Sequence, residues 1–322
     1  MSHDRRISQA GFTLIEATLV ILIMGVMAAA LSAFIVGPVT GYLLATERSV
    51  AIEDGAFVLE RISREVRTAI PNTVRVKPSP GVNASVEFVP AIGAVVYRRT
   101  GGNDLTFDQP TSSFDVIGNY PDGLAAAVTA GDTLRLVVYQ EDAYTTGGTS
   151  DQPLPGINLY NSNPGVGPFP AANSHVVTPS TTTVSLNTST TFKTAINASL
   201  TQVIGVTLSS PFQFAFDSPQ QKMYIFDSNQ APVSYVCDTN FGTLTRFAGY
   251  AVTASQPNIA SSAPLVSASS TALVADNISS CSFAYSPGVS YRSAVLTITI
   301  GIRSQGGEDM QLIQQVQIPS SP

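Results

Sequence analysis

The chain has 322 residues, of which 44% are hydrophobic and only 12% are charged, with 16 basic and 22 acidic residues. Its length allows a sizeable core. Its acidic balance argues against general nucleic-acid binding, which needs a basic face.

The first predicted element is a long apolar helix. Ala17–Thr46 contains no charged residue, and Ala17–Val36 is almost entirely apolar. About 20 such residues suffice to cross the hydrocarbon core of a bilayer. Glu16 directly precedes the run, and a carboxylate at the edge of a membrane span is a candidate for function because it is costly there. The alternative is that Glu16 only snorkels to the headgroups of an ordinary signal anchor.

A short polar leader, residues 1–11, precedes this helix and carries a net positive charge, which favours the cytoplasmic side. A secretory signal is cut after its apolar run, whereas here the small residue, Gly11, comes before the run. Cleavage after Gly11 would remove the leader and keep the helix. The new N-terminus would be Phe12, four residues from Glu16.

The stretch Gly11-Phe12-Thr13-Leu14-Ile15-Glu16, followed by a uniform apolar helix, resembles the type IV prepilin signature. The family also contains the pseudopilins of type II secretion. The resemblance implies that a prepilin peptidase cuts after Gly11 and methylates the amine of Phe12. It also implies that Glu16 pairs with the N-terminal amine of a neighbouring subunit. An opposite charge relieves a buried carboxylate only in the correct register, so Glu16 is predicted to set the axial register.

Gly37 and Pro38 follow the most apolar part of the helix. A proline removes a backbone hydrogen bond and kinks or opens a helix, so we expect a bend or a melted turn near residues 37–41. In the pilins that the chain resembles, helix breakers in this half of the helix allow local melting during filament packing.

Helical character is predicted to resume at Tyr42 and to continue to Ile70, where Pro71-Asn72 ends it. Apolar residues recur there at spacings of three and four, namely Leu59, Ile62, Val66 and Ala69. This stripe is predicted to lie on a globular domain.

The remainder reads as strands and loops, and one elaborated domain is favoured over two. The predicted strands are Val82–Val89, Thr133–Tyr139, Phe212–Phe216, Lys222–Phe226, Pro232–Cys237, Leu244–Tyr250, Cys281–Tyr285, Ala294–Arg303 and Gln311–Ile318. Gly306-Gly307 is a predicted hairpin turn. Residues Thr145–Ser174 and Pro179–Thr191 are predicted long loops or an edge hairpin of weak register.

The predicted fold class is α+β, with a leader at 1–11, a transmembrane and assembly helix at 12–70, and a β-rich globular domain at 71–322. The resemblance implies a type IV pilin fold, in which a long N-terminal helix, kinked near Pro38, packs on a large antiparallel β-rich domain with long loops. The two cysteines, Cys237 and Cys281, predict a disulfide in an exported domain. Two separate buried thiols are the alternative.

Further segments resemble the large O-type minor pilins of the mannose-sensitive haemagglutinin (MSHA) pilus and, more distantly, the J-type minor pseudopilins. They are Phe57–Arg67, Pro71–Val76, Val233–Cys237 with Gly242–Arg246, and Cys281–Tyr285. Residues from about 100 to 210 resemble nothing that we recognise.

Signs of catalysis are few. The sequence beyond the leader contains one histidine, His175, in a Pro- and Ser-rich stretch, and it contains no nucleophile elbow or phosphate-cradling motif. Asp104, Asp108 and Asp227-Ser228-Asn229 could contribute to a calcium site, but turn chemistry explains them more simply. The sequence therefore predicts a protein that is not an enzyme and that needs no cofactor or metal.

The predicted function is that of a minor pilin that helps to initiate or cap assembly of an MSHA-type pilus. Its implied partners are the prepilin peptidase, other major and minor pilins, and the inner-membrane assembly platform. The protein would cross the inner membrane once, with its C-terminal domain in the periplasm, and then enter the extracellular pilus. Two alternatives stay open: a minor pseudopilin of type II secretion, and a tip adhesin whose 145–191 loops bind a glycan or a surface.

Overall fold

The computed structural model describes residues 12–77, 83–117, 133–139, 159–160, 176–179, 182–189, 203–253, 255–286 and 293–318. The leader with Gly11, His175 and nearly all of the loop predicted at Thr145–Ser174 lie outside the described residues.

One long helix, α1, begins at Leu14 and ends at Val66, a span of 53 residues. The apolar stripe predicted for its last turns is confirmed. Leu59 is 4% exposed, and Ile62 and Val66 are fully buried. The helix is continuous through Gly37 and Pro38. The expected melted turn near residues 37–41 is therefore wrong, and a bend there stays a prediction.

The helix ends four residues before the predicted boundary at Ile70. The backbone N–H of Ala69 donates to the carbonyl of Val66 at 3.0 Å, which forms a tight turn. The N–H of Ile70 donates instead to the carbonyl of Val89 at 2.8 Å. Pairing with a distant segment thus replaces the last predicted helical turn.

Fourteen strands follow within the described residues. They are β1 (Arg75–Lys77), β2 (Asn83–Phe88), β3 (Gly93–Tyr97), β4 (Thr111–Ile117), β5 (Leu134–Val137), β6 (Val184–Ser189), β7 (Val203–Phe212), β8 (Lys222–Asp227), β9 (Val233–Asp238), β10 (Thr243–Ala248), β11 (Ser270–Ala275), β12 (Ile278–Ser286), β13 (Ala294–Arg303) and β14 (Asp309–Ile318). They form a five-stranded sheet β1-β2-β9-β10-β11, a three-stranded sheet β12-β13-β14 and a six-stranded sheet β5-β8-β3-β4-β7-β6. The described pairs are antiparallel.

Eight of the nine predicted strands coincide with observed ones, and the Gly306-Gly307 turn joins β13 to β14 as predicted. Phe212–Phe216 is wrong, because only Phe212 belongs to a strand and β7 ends there. Within Pro179–Thr191 the described residues contain β6, which lies at the edge of the six-stranded sheet. β1, β3, β4, β7 and β11 were not predicted.

The last turns of α1 share one hydrophobic core with the five-stranded and three-stranded sheets. Val58 and Ile62 belong to the same buried cluster as Tyr235 of β9 and Phe283 of β12. A second cluster lies on the six-stranded sheet and includes Phe114. The helix therefore completes the core of the β-rich part, as its apolar stripe predicts.

Cys237 of β9 and Cys281 of β12 form a disulfide, with their Cα atoms 6.3 Å apart. The predicted pairing is confirmed. The bond links the five-stranded sheet to the three-stranded sheet across a sequence separation of 44 residues.

Two compact units divide the chain, residues 1–50 and residues 51–322. The division falls inside α1, whereas the sequence placed the boundary at residues 70 and 71. The helix turns from Ala51 onward belong with the strands because their apolar stripe is buried there.

A buried ion pair connects β1 to β2. Arg75 and Glu87 are direct cross-strand neighbours, and Nη2 of Arg75 lies 3.0 Å from both carboxylate oxygens of Glu87. Nη2 also donates to the carbonyl of Thr253 at 2.8 Å, and the guanidinium lies 3.9 Å from the ring centre of Tyr160. Burial lowers the pKa of Arg75, but Glu87, Tyr160 and Tyr250 together outweigh it, so the net shift is upward and the guanidinium stays charged. Through Arg75, the segments that carry Tyr160 and Thr253 are held against the five-stranded sheet.

Candidate functional site

The candidate site is the start of α1. Phe12 and Thr13 precede the helix, and the carbonyl of Thr13 accepts hydrogen bonds from the N–H groups of Glu16 (3.1 Å) and Ala17 (3.2 Å). Phe12 is 81% exposed, and Glu16 lies exposed in the first helical turn. A carboxylate there is favoured by the positive end of the helix dipole. The structure thus places Phe12 and Glu16 within about one turn of each other, while Gly11 lies outside the described residues.

Glu16 is the only charged residue between Leu14 and Thr46. The hydroxyl groups of that segment are satisfied within the helix. Each of its serines and threonines donates to a carbonyl of the preceding turn at 2.8–2.9 Å, namely Thr18, Ser32, Thr40 and Thr46. Such bonds let a polar side chain lie in an apolar surrounding without an unsatisfied donor. Sequence reasoning missed this feature, although the hydroxyl positions themselves could have suggested it.

Thr40 makes two such bonds close to Pro38. A proline lacks the N–H that would bond to the carbonyl four residues earlier. The hydroxyl of Thr40 lies 2.8 Å from the carbonyl oxygen of Val36 and 2.9 Å from that of Gly37. These bonds lie next to the proline but go to other carbonyls than that of Phe34, which is the one that the missing N–H of Pro38 would serve.

The outer surface of the first helical segment is apolar all round. Leu14, Ile15, Ile21 and Leu22 each expose at least two thirds of their surface. By length and composition α1 could cross a membrane, and its most apolar stretch has a mean hydropathy of 2.8 with none of it buried. A surface of this kind is compatible with a place in the hydrocarbon core of a bilayer.

The last turns of α1 are held by packing and by one ion pair. A methyl group added at Gly55 would lie 2.9 Å from Cδ1 of Leu312, so the helix lies very close to β14 at this point. Glu65 accepts a hydrogen bond from Nε of Arg246 in β10 at 2.8 Å. Burial, and then Glu65, raise the pKa of Tyr235 beside this pair. These contacts fix the orientation of the last turns on the strands.

Two of the acidic residues that were weighed as possible calcium ligands, Asp227 and Asp104, make contacts within the fold. Oδ1 of Asp227 accepts a hydrogen bond from the N–H of Asn229 at 2.8 Å, which closes a turn. Asp104 lies 3.8 Å from Nε of Arg98. Among the described residues, no group of three or more His, Cys, Asp or Glu side chains could hold a metal ion.

Comparison of the chain with family models, with curated proteins and with solved structures finds no match in any of the three.

Proposed function

We propose that this chain is a minor pilin, a structural subunit that helps to initiate or cap assembly of an MSHA-type type IV pilus. One observation carries the proposal. The prepilin-like stretch Gly11–Glu16 stands before a helix in which Glu16 is the only charge as far as Thr46, and in which the serine and threonine hydroxyls are satisfied internally.

The mechanism is electrostatic. Removal of residues 1–11 frees the amine of Phe12, and the ammonium is then unfavourable at a helix N-terminus because the helix dipole is positive there. The carboxylate of Glu16 also carries a cost when it is buried without a partner among apolar helices. Pairing the ammonium of one subunit with the Glu16 carboxylate of its neighbour relieves both costs. It does so only when the two helices are in one axial register.

Location follows from the same features. Before assembly, α1 crosses the inner membrane and the β-rich unit lies in the periplasm. An oxidising compartment suits the Cys237–Cys281 disulfide. Without residues 1–11 the chain has 14 basic and 21 acidic residues, so its net charge is −7. Prepilin peptidase, other pilins and the assembly platform are its partners in this proposal.

The variant Glu16→Ala tests the register role. We expect the leader to be removed normally and the number of pili to fall, because one half of the ion pair is gone. Glu53→Ala is the matched control, since Glu53 is an exposed acid on the same helix beyond the uncharged segment. Normal piliation with Glu16→Ala would contradict the mechanism.

Mass spectrometry of the mature protein tests the processing step. The expected N-terminal residue is Phe12 with a methylated amine. Replacement of Gly11 by a bulky residue is expected to leave an uncut precursor, visible as a slower band on a gel. A working protein that retains residues 1–11 would remove the basis for the ion pair.

A further inference from the structure

Arg135 is a buried cation on the six-stranded sheet. It lies in β5 and is 1% exposed. Its direct neighbour across the strands is Phe226 of β8, which is fully buried. Residues that face each other in this way share one side of the sheet, and on that side Phe226 belongs to an apolar cluster with Val137 and Tyr224. Arg135 therefore extends from the side of the sheet that carries this cluster.

The guanidinium of Arg135 has few partners. Nη1 donates to the carbonyl of Thr178 at 3.3 Å, and Nε is buried without an acceptor. No carboxylate among the described residues lies within ion-pair distance of it. Asp227 follows Phe226 in β8 but pairs with Leu134, so it lies on the other side of the sheet. Burial lowers the pKa of Arg135 to about 10, and the group is therefore still charged at neutral pH.

The two other buried arginines of the described ranges show how this fold stabilises such a charge. Nη2 of Arg75 lies 3.0 Å from both carboxylate oxygens of Glu87, and Nη1 of Arg98 lies 3.3 Å from Oδ2 of Asp115. A charge that is buried without a counter-charge is strongly unfavourable. Arg135 therefore requires an anion that the described residues do not supply.

The donors at this place favour one kind of anion. Nε and Nη2 of a guanidinium form a planar fork that matches two oxygens of a carboxylate or of a phosphate. Neither atom of Arg135 has an acceptor among the described residues. Thr178, which is fully buried, adds a second donor, because its Oγ1 accepts the N–H of Leu136 at 3.0 Å and keeps its own proton to donate. An oxyanion fits these donors better than a spherical ion.

The position of Arg135 limits the size of that anion. β5 is the outermost strand of its sheet. Residues 176–178 lie along it through two described backbone bonds, from Val138 to the carbonyl of Val176 at 3.3 Å and from Thr178 to the carbonyl of Leu136 at 3.0 Å. A segment with so few bonds opens locally at a low free-energy cost. Because Arg135 is almost fully covered, a small ion can enter during such opening, whereas a side chain on the surface of another protein does not reach the guanidinium.

We propose that Arg135 and Thr178 bind one small free oxyanion, of the size of phosphate or acetate, between β5 and residues 176–178. The anion neutralises the buried guanidinium and ties residues 176–178 to the edge of the six-stranded sheet. These residues belong to the β-rich unit, so the inference does not depend on the minor-pilin proposal.

Equilibrium dialysis tests the binding. The purified full chain in detergent is dialysed against radiolabelled phosphate or acetate, with the ionic strength held constant by sodium chloride. We expect saturable binding of one ion per chain, abolished by Arg135→Gln. Arg303→Gln is the matched control, since it removes an arginine that is exposed, and it should bind as the wild type does. No saturable binding of either ion up to about 10 mM, or equal binding by Arg135→Gln, would overturn the proposal.

Unfolding measurements supply a second readout. An ion that binds only the folded state, present at about ten times its dissociation constant, should lower the unfolding equilibrium constant of the wild type about elevenfold. Phosphate also stabilises folded proteins in general by exclusion from their surfaces. That general effect should be the same in the wild type, in Arg303→Gln and in Arg135→Gln. A response of Arg135→Gln as large as that of the wild type would contradict the specific site.

A third variant distinguishes a bound ion from a pair made within the chain. Arg135→Met replaces the cation by an apolar side chain. In Tris chloride buffer without oxyanions, it should unfold at the wild-type denaturant midpoint or above it, because an uncompensated charge has been removed. A lower midpoint there, with no response of the wild type to phosphate, would show that the chain pairs Arg135 itself and would refute the proposal. If Arg135→Met does not fold, dialysis of the wild type still decides. Piliation with Glu16→Ala tests the minor-pilin proposal separately.

Discussion

The two ends of α1 are built for different surroundings. Leu14–Thr46 is apolar on every side, and its serine and threonine hydroxyls bond to its own carbonyls. Ala51–Val66 has one buried apolar stripe and exposed charges, including Glu53 and Glu60. The apolar stripe of Ala51–Val66 is buried by contacts with strands of the same chain.

The contrast shows which contacts the chain provides for itself. An amphipathic segment needs one covered face, and the β-rich unit supplies it. A segment that is apolar all round needs lipid or several other helices. Helix docking between subunits, with Glu16 as the register group, is therefore proposed for the first segment only.

A large effect on stability is expected from the disulfide, which strengthens the β-rich unit alone. Replacing Cys237 and Cys281 by serine together should lower the free energy of unfolding of that unit by about 4 kcal/mol, since the bond closes a loop of about 45 residues in the unfolded chain. Denaturant titration in detergent, followed by near-ultraviolet circular dichroism, measures this. An unchanged midpoint would show that the bond contributes little.

A pair of isoleucine variants compares the two segments directly. Ile62→Ala should lower the free energy of unfolding by about 2–5 kcal/mol, because Ile62 is fully buried in the core. Ile21→Ala removes the same atoms from a residue that is 71% exposed, and it should change that free energy by less than about 0.5 kcal/mol. Similar losses at both positions would contradict the division of α1.

Alkaline pH should weaken the β-rich unit through its buried tyrosines. Burial raises the pKa of Tyr160 and of Tyr250 well above the ordinary value of 10.0. The folded state therefore favours the neutral phenols, and their contribution is complete below about pH 10 and is lost as the pH rises beyond it. Denaturant midpoints measured from pH 8 upward should fall above that value. Tyr160→Phe should show a shallower fall, and an identical fall would exclude Tyr160 as a cause.

The smallest effect is expected from the ion pair that joins α1 to β10. Glu65 and Arg246 are each partly exposed, so solvent weakens their attraction, and a double-mutant cycle with Glu65→Gln and Arg246→Gln should give a coupling of at most about 1 kcal/mol. The same cycle on the exposed pair Arg303–Asp309 should give no measurable coupling. A larger coupling at the exposed pair would reverse this ranking.

Several strands could not be predicted because their pairing is non-local. β4 and β7 pair although about 90 residues separate them, and β7 contains Gly205 and Pro211, which usually disfavour strands. Neither has strong strand character alone. Their assignment depends on hydrogen bonds to each other, which local composition does not reveal.

The charges Arg75 and Glu87 show the same limit at the level of single residues. Local sequence would place both on the surface. Their register across β1 and β2 sets them opposite each other, and Thr253 and Tyr160 then cover them. The burial of Arg75 and Glu87 therefore depends on four segments, namely β1, β2 and the segments that carry Thr253 and Tyr160, which come together only on folding.

By itself, the sequence determined the start of α1, its uncharged segment, the stripe of its last turns, the cysteine pair and the final hairpin. Each of these depends on composition or on a short hydrophobic period, and with two cysteines only one intramolecular pair is possible. Tertiary structure decided the early end of α1, the six-stranded sheet and the buried ion pair. Those features depend on which distant strands become neighbours, and that choice is made by the core as a whole.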